Sequence, residues 1–263
     1  STYADEGYDL IIAVGYLFQE AIDTVAPLYP DSNFLFIDSA SDNPNVMSAV
    51  YSAEEGCYLV GIAAGLESLA SGSNTVGFMG GMEGELIGAF QAGFEQGVLE
   101  VNPDATIYVD YADSYSDDAK GQVLAVKQYD LGASTIYHAA GNAGNGVIKE
   151  AKERGGDVWA IGTDKDQYAD GVIDDGSSVI LTSFIKRVDV STYTAANAVL
   201  NGTFEGGILN FTLENGGVGA ELSLGRNLSD EDIAIIEDYA AKIASGEITV
   251  SAIPTIANGS SNK

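Results

Sequence analysis

The sequence predicts an α/β fold of two Rossmann-like lobes, each a parallel sheet covered by helices, of the type I periplasmic-binding-protein kind. Three observations carry that expectation. Short apolar runs alternate with longer amphipathic ones along the chain, the strand–helix repeat of parallel sheets. The strand runs are continuously apolar rather than alternating, so both faces of each sheet should be covered. A chain of 263 residues with 46% hydrophobic content also exceeds one average domain and can fill two cores.

In order, "YDLIIAVG" (8–15), "NFLFID" (33–38) and "VMSAVY" (46–51) read as buried strands of a first lobe. "TVGFMGG" (75–81), "TIYVDY" (106–111), "STIYHAA" (134–140), "VWAIGTD" (158–164) and "SVILTSF" (178–184) read as those of a second. Helical spacing of apolar residues marks "FQEAIDTVAPLY" (18–29), "GELIGAFQAGFEQGVLEV" (84–101), "AKGQVLAVKQYDLG" (119–132) and "NGVIKEAKERGG" (145–156). "EEGCYLVGIAAGL" (54–66) reads as a packed helix of small residues, in which Cys57 is a buried, inert thiol. "SGSNT" (71–75) looks like the linker between lobes. Lobe one is therefore expected over 1–74 plus a return segment of about 185–225, and lobe two over 75–184. Residues 226–254 should form a C-terminal helix and strand, with Ser229 as N-cap and Asp230, Glu231 and Asp232 in the first turn. The tail 255–263 is small and polar and should fray.

Charge narrows the partners. Thirty-nine acids against eleven bases give a net charge of −28. Nucleic-acid binding is excluded, because phosphate contacts need clustered Lys and Arg. Free anions are disfavoured by the protein's own field. No apolar run reaches the roughly 18 residues of a membrane helix. No basic, apolar leader opens the chain, and Ser1 is expected to begin mid-domain. One cysteine rules out an internal disulfide and any multi-Cys metal site.

The motifs argue against catalysis. No G-x-S-x-G occurs, and the single histidine, His138, has no evident nucleophile beside it; such a residue is usually packed or hydrogen-bonded. "DKDQYADG" (164–171) opens like a calcium loop, but the third ligand would fall on Tyr168. No metal or cofactor is expected. "IYHAAGNAGNG" (136–146) matches neither the dinucleotide fingerprint nor a P-loop. A strand feeding a glycine turn and then a helix still lets backbone approach a ligand closely, with Tyr137 or His138 facing the strand's open end. Two further strands end in acids, Asp38 and Asp164, at the edge where open parallel sheets bind ligands.

Taken together, "YDLIIAVGY", P-x-x-x-F-x-x-I-D, E-E-G-x-x-x-G-x-x-A, "VGFMGG", "FQAGFEQGV", "HAAGNAGNGVI" and "AIGTDKDQ" run collinear from about residue 5 to 254. In that order they resemble the basic membrane lipoprotein family, purine nucleoside receptors that serve ABC transporters. The resemblance implies an extracellular or cell-surface, monomeric binding protein. It would be lipid-anchored to the cell membrane upstream of this chain and would pass a nucleoside to a permease. The family's first strand and its Asp-Asp-x-Ser-Phe-Asn loop have no match before "STYADEGYDL". Two alternatives follow: a truncated or ligand-incompetent relative with a signalling or structural role, or a binder of a riboflavin-type heterocycle.

The family's roles carry over to five positions. Asp38 matches the acid that binds the ligand from the first lobe, and Tyr137 matches an aromatic that stacks on the base. Gly141 lies in the turn that follows, Asp164 matches an acid near the sugar, and Lys186 matches a lysine beside the hinge. Asp38, Tyr137 and Asp164 are expected to converge on one uncharged ligand in the cleft between lobes. Ribose hydroxyls suit carboxylates, with charge-assisted bonds of roughly 1.5–3 kcal/mol each.

Overall fold

A computed structural model describes all residues, 1–263. In chain order its elements are α1 (Thr2–Asp5), β1 (Leu10–Val14), α2 (Gln19–Val25), β2 (Asn33–Ile37), β3 (Val46–Tyr51), α3 (Ala53–Ala70), β4 (Thr75–Gly80), α4 (Glu85–Val101), β5 (Thr106–Tyr111), α5 (Asp118–Asp130) and β6 (Thr135–Ala139). They continue with α6 (Asn145–Glu153), β7 (Trp159–Gly162), β8 (Ile180–Lys186), α7 (Val188–Leu200), β9 (Gly207–Phe211), β10 (Val218–Ala220), α8 (Asp230–Ala244) and β11 (Ser260–Ser261). Apart from the strand expected after the C-terminal helix, every strand run and helical pattern read from the sequence lies within or beside one of these. The chain divides into two compact units, Ser1–Ser52 with Arg187–Gly217, and Ala53–Lys186 with Val218–Lys263.

The first unit is a four-stranded sheet in the order β1-β2-β3-β9, parallel throughout. Ile22 and Ala26 pack onto Ala13, Phe34, Phe36 and Val46 on one sheet face. Asn45 Nδ2 donates to the carbonyls of Ala26, Tyr29 and Ser32, so one amide satisfies the backbone where α2 turns into β2. Tyr51 stacks on Phe211 at a centroid distance of 4.9 Å and donates its hydroxyl to Ser191 Oγ at 2.7 Å. That single side chain ties β3 to β9 and α7.

The second unit is a seven-stranded sheet in the order β10-β8-β7-β6-β4-β5-β11. β5, β4, β6, β7 and β8 are parallel, while β10 and β11 add antiparallel edges. Phe78, Phe94, Tyr137 and Phe184 are fully buried on the side covered by α3 and α4. The two helices touch backbone to backbone. A Cβ at Gly97 would lie 2.1 Å from the Tyr58 carbonyl oxygen, and one at Gly93 2.1 Å from that of Glu54.

That close approach corrects the expected boundaries. α3 belongs with the second unit, not with lobe one, because α4 holds it; "SGSNT" is then the turn between α3 and β4 rather than an inter-lobe linker. The return segment is 187–217 rather than about 185–225. No strand follows α8 before Pro254. Ser229 does cap α8, accepting from Asp232 N at 3.1 Å. The Asp232 carboxylate accepts in turn from Ser229 N, which completes a capping box.

The tail was expected to fray and instead lies along β5. Ser260 and Ser261 pair with Val109 and Tyr108, Asn258 Oδ1 accepts from Tyr111 N, and Asn262 Oδ1 from Ile107 N. Buried Glu95 anchors the run, accepting from Thr255 N (2.8 Å), Thr255 Oγ1 (2.7 Å) and Ile256 N (3.3 Å). Removing an acceptor that serves several buried donors costs about 1–3 kcal/mol. Glu95→Ala should therefore raise hydrogen exchange at 255–262 while the central strands stay protected. A tail that stays protected in the variant contradicts this anchoring role.

Candidate functional site

Parallel strands bring their carboxyl ends to one edge, and chain order reverses between β4 and β6, whose neighbours are β5 on one side and β7 on the other. In open α/β sheets such a switch point is where ligands enter. Gly141 follows β6 at this place, with φ of 54°, and opens the turn Gly141–Gly144 that leads into α6. Asp164 follows β7 at the same edge, and Lys186 ends β8.

The two strand-end acids share a backbone state. Asp38, after β2 in the first unit, has φ of 65°, and Asp164 in the second has φ of 64°. Left-handed backbone at a non-glycine residue is a local cost that clusters at ligand sites, and Asp and Asn bear it best. Asp38 N donates to Ala49 O, which fixes that turn on β3. Asp164 is half-exposed at its side chain and pairs with Lys186, Nζ to Oδ1 at 3.1 Å, while Lys186 N donates to Asp164 O at 3.1 Å. The Lys186 side chain is only 7% exposed and its ammonium lies 5.9 Å from the Phe90 ring centroid. Lys186 is thus a buried support that aims Asp164.

Tyr137 is placed differently from expectation. Its side chain is fully buried, with its ring against Phe78 (5.7 Å) and Phe94 (5.4 Å). Its hydroxyl meets Cys57 Sγ and Thr163 Oγ1, each at 3.2 Å. Burial pushes both the phenol and the Cys57 thiol well above their usual pKa, so both stay neutral. The ring is thus buried in this structure, edge-on to Phe78 and tilted against Phe94. Its hydroxyl end lies beside Thr163, the residue before Asp164.

A cavity of about 1220 Å³ opens within the second unit beside α6 and the segment 163–175. Gly141 and Asp164 line it, together with His138, Asn145, Lys149 and Gln167; Tyr137 and Lys186 do not. Adjacent residues of a strand point to opposite faces. His138 is accordingly on the other side of β6 from Tyr137, at the cavity wall. No group of three or more His, Cys, Asp or Glu is arranged to hold a metal ion, and no helix is long and apolar enough to cross a membrane.

The family model described as ABC transporter substrate-binding protein PnrA-like, or Bmp, matches residues 1–253. The chain belongs to this family. Among relatives, it is 39% identical over 261 residues to the CD4+ T-cell-stimulating antigen of Listeria monocytogenes, covering 95% of this chain and 72% of that protein. It is 37% identical over 261 residues to the ABC transporter nucleoside-binding protein BmpA of Lactococcus lactis, covering 93% and 72%. A solved ABC transporter solute-binding protein from Aeropyrum pernix superposes with a TM-score of 0.82 at 29% identity, covering 95% of this chain and 79% of that one. This Bmp-family protein is an ABC transporter substrate-binding protein with the two-lobe type I fold. What sequence reasoning assigned to packing was His138. The continuous apolarity of "TIYHA" buries both neighbours and gives no signal as to which one borders a cavity.

Proposed function

We propose that this protein binds an uncharged nucleoside, a purine nucleoside first, at the cell surface and delivers it to an ABC permease. A lipid anchor on sequence preceding residue 1 would tether it. The observation that carries this reading is the pair of left-handed strand-end acids, Asp38 and Asp164, which can each accept from ligand hydroxyls. The name of the Lactococcus lactis relative supports the nucleoside class. A net charge of −28 favours neutral ligands over nucleotides, whose phosphates the field repels.

Calorimetry with adenosine, guanosine, inosine, uridine and riboflavin tests it. At least one purine nucleoside should bind, and adenosine monophosphate should fail to compete. Asp38→Asn and Asp164→Asn keep a residue that tolerates the left-handed turn but lose the charge. Each should weaken binding roughly 10- to 100-fold, the range of a charge-assisted bond. Heat from riboflavin alone would move the assignment to that heterocycle, and silence from the whole panel would overturn the receptor reading. Free base released during incubation would reveal a hydrolase.

A further inference from the structure

His138 carries an unusual combination. Its side chain is 1% exposed, and no geometrically well-formed hydrogen bond reaches either ring nitrogen, although the Gln167 side chain is close enough to interact with the ring. The nearby Gln167 amide is committed elsewhere, its oxygen accepting from Thr163 N at 2.9 Å and its nitrogen donating to Asp170 Oδ2 at 3.2 Å. On the helix side, Gly144 closes over the ring so tightly that a Cβ there would lie 2.1 Å from Nδ1. The imidazole is thus held in one place by packing, with the Gln167 side chain beside it. Leaving a buried polar group unpaired costs about 1–3 kcal/mol, and such groups are rare.

The unpaired ring borders the cavity that Gly141 and Asp164 also line. We infer that His138 is a specificity-determining residue of this site, exchanging a hydrogen bond with a polar group on an uncharged nucleoside. The inference rests on the nucleoside reading proposed above. Burial holds its pKa down at about 4, against 6.5 ordinarily, so at neutral pH the ring presents one donor and one acceptor. A neutral ring adds no attraction for phosphate, in keeping with a nucleoside rather than a nucleotide. His138 lies on the sheet face opposite its neighbour Tyr137.

Because the chain has one histidine, labelling with ¹⁵N-histidine gives a reporter with a single source. Adenosine, guanosine and inosine are titrated into the wild-type protein, His138→Gln and His138→Phe. A nucleoside that binds should shift the wild-type ring nitrogens. His138→Phe should lose roughly tenfold or more in affinity for it, and His138→Gln, which keeps a donor and an acceptor, should lose less. Binding with unmoved ring nitrogens overturns the inference and leaves the nucleoside reading intact, whatever the variants do, because a purely structural histidine would behave that way. If the wild type binds none of the three, the parent reading and this inference fall together. Should His138→Phe fail to fold, the wild-type nitrogen shifts still decide.

Discussion

Gly97→Ala is expected to destabilise the second unit by about 3 kcal/mol, the upper end of overpacking in a well-filled core. The new methyl would sit 2.1 Å from the Tyr58 carbonyl oxygen and 3.0 Å from Ile62 N, both backbone atoms of α3 that cannot rotate away. To admit it, two long helices would have to separate along their whole contact. The same helix supplies its own control. At Gly88 a Cβ meets only the ring of Pro254, at 3.5 Å, which is ordinary contact. Gly88→Ala should therefore be neutral or stabilising by up to about 1 kcal/mol through helix propensity. Urea unfolding of both variants checks the contrast. Equal effects at the two positions would mean that the α3–α4 approach is looser than described.

The second large effect is on pH dependence. The His138 ring titrates near 4 when folded because burial disfavours its charged form, although the Asp164 carboxylate, the Gln167 side chain and the Asp170 carboxylate oppose that shift. Unfolded histidine titrates near 6.5. Between those values the unfolded chain binds a proton that the folded one does not, so stability falls as pH drops from about 6.5 toward 4. The full difference is roughly 3 kcal/mol at 1.36 kcal/mol per pKa unit. The acids also titrate near the lower limit, so the test is a difference. Wild type should lose more stability than His138→Gln between pH 7 and 4.5. Parallel curves for the two proteins would show that the ring titrates normally in the fold.

Most of the architecture was readable because burial on both faces writes long apolar runs. β2, β3, β4, β5 and β6 appear in the sequence almost to the residue. β9 escaped because Gly207, Ile208 and Asn210 are exposed in it, leaving no apolar run. β11 escaped because Asn258 and Asn262 do much of the pairing with side-chain amides, which follow no period. The boundary error at α3 has another source. Gly61 of α3 lies against Phe94 and Gly97 of α4, and Gly93 and Gly97 of α4 against Glu54 and Tyr58 of α3; proximity along the chain says nothing about that meeting. Asp38, Gly141 and Asp164 were legible as strand ends, where position alone points to the ligand edge of an open sheet. The full burial of Tyr137 follows from the same rule. A run apolar enough to lie inside a doubly covered sheet hides its aromatic ring as well.

The route of the chain through the first unit bears on how the protein is made. β3 pairs with β9, yet the second unit's strands β4 to β8 and the helix α7 are encoded between them, roughly 150 residues of chain. At ~5–20 residues per second of synthesis, β3 would wait roughly 8–30 s on the ribosome for its neighbour. Throughout that interval a strand bearing Met47, Ala49 and Tyr51 offers open backbone to any other nascent chain. Export in an unfolded state, or a holdase bound near residue 50, would shield that strand until its partner emerges.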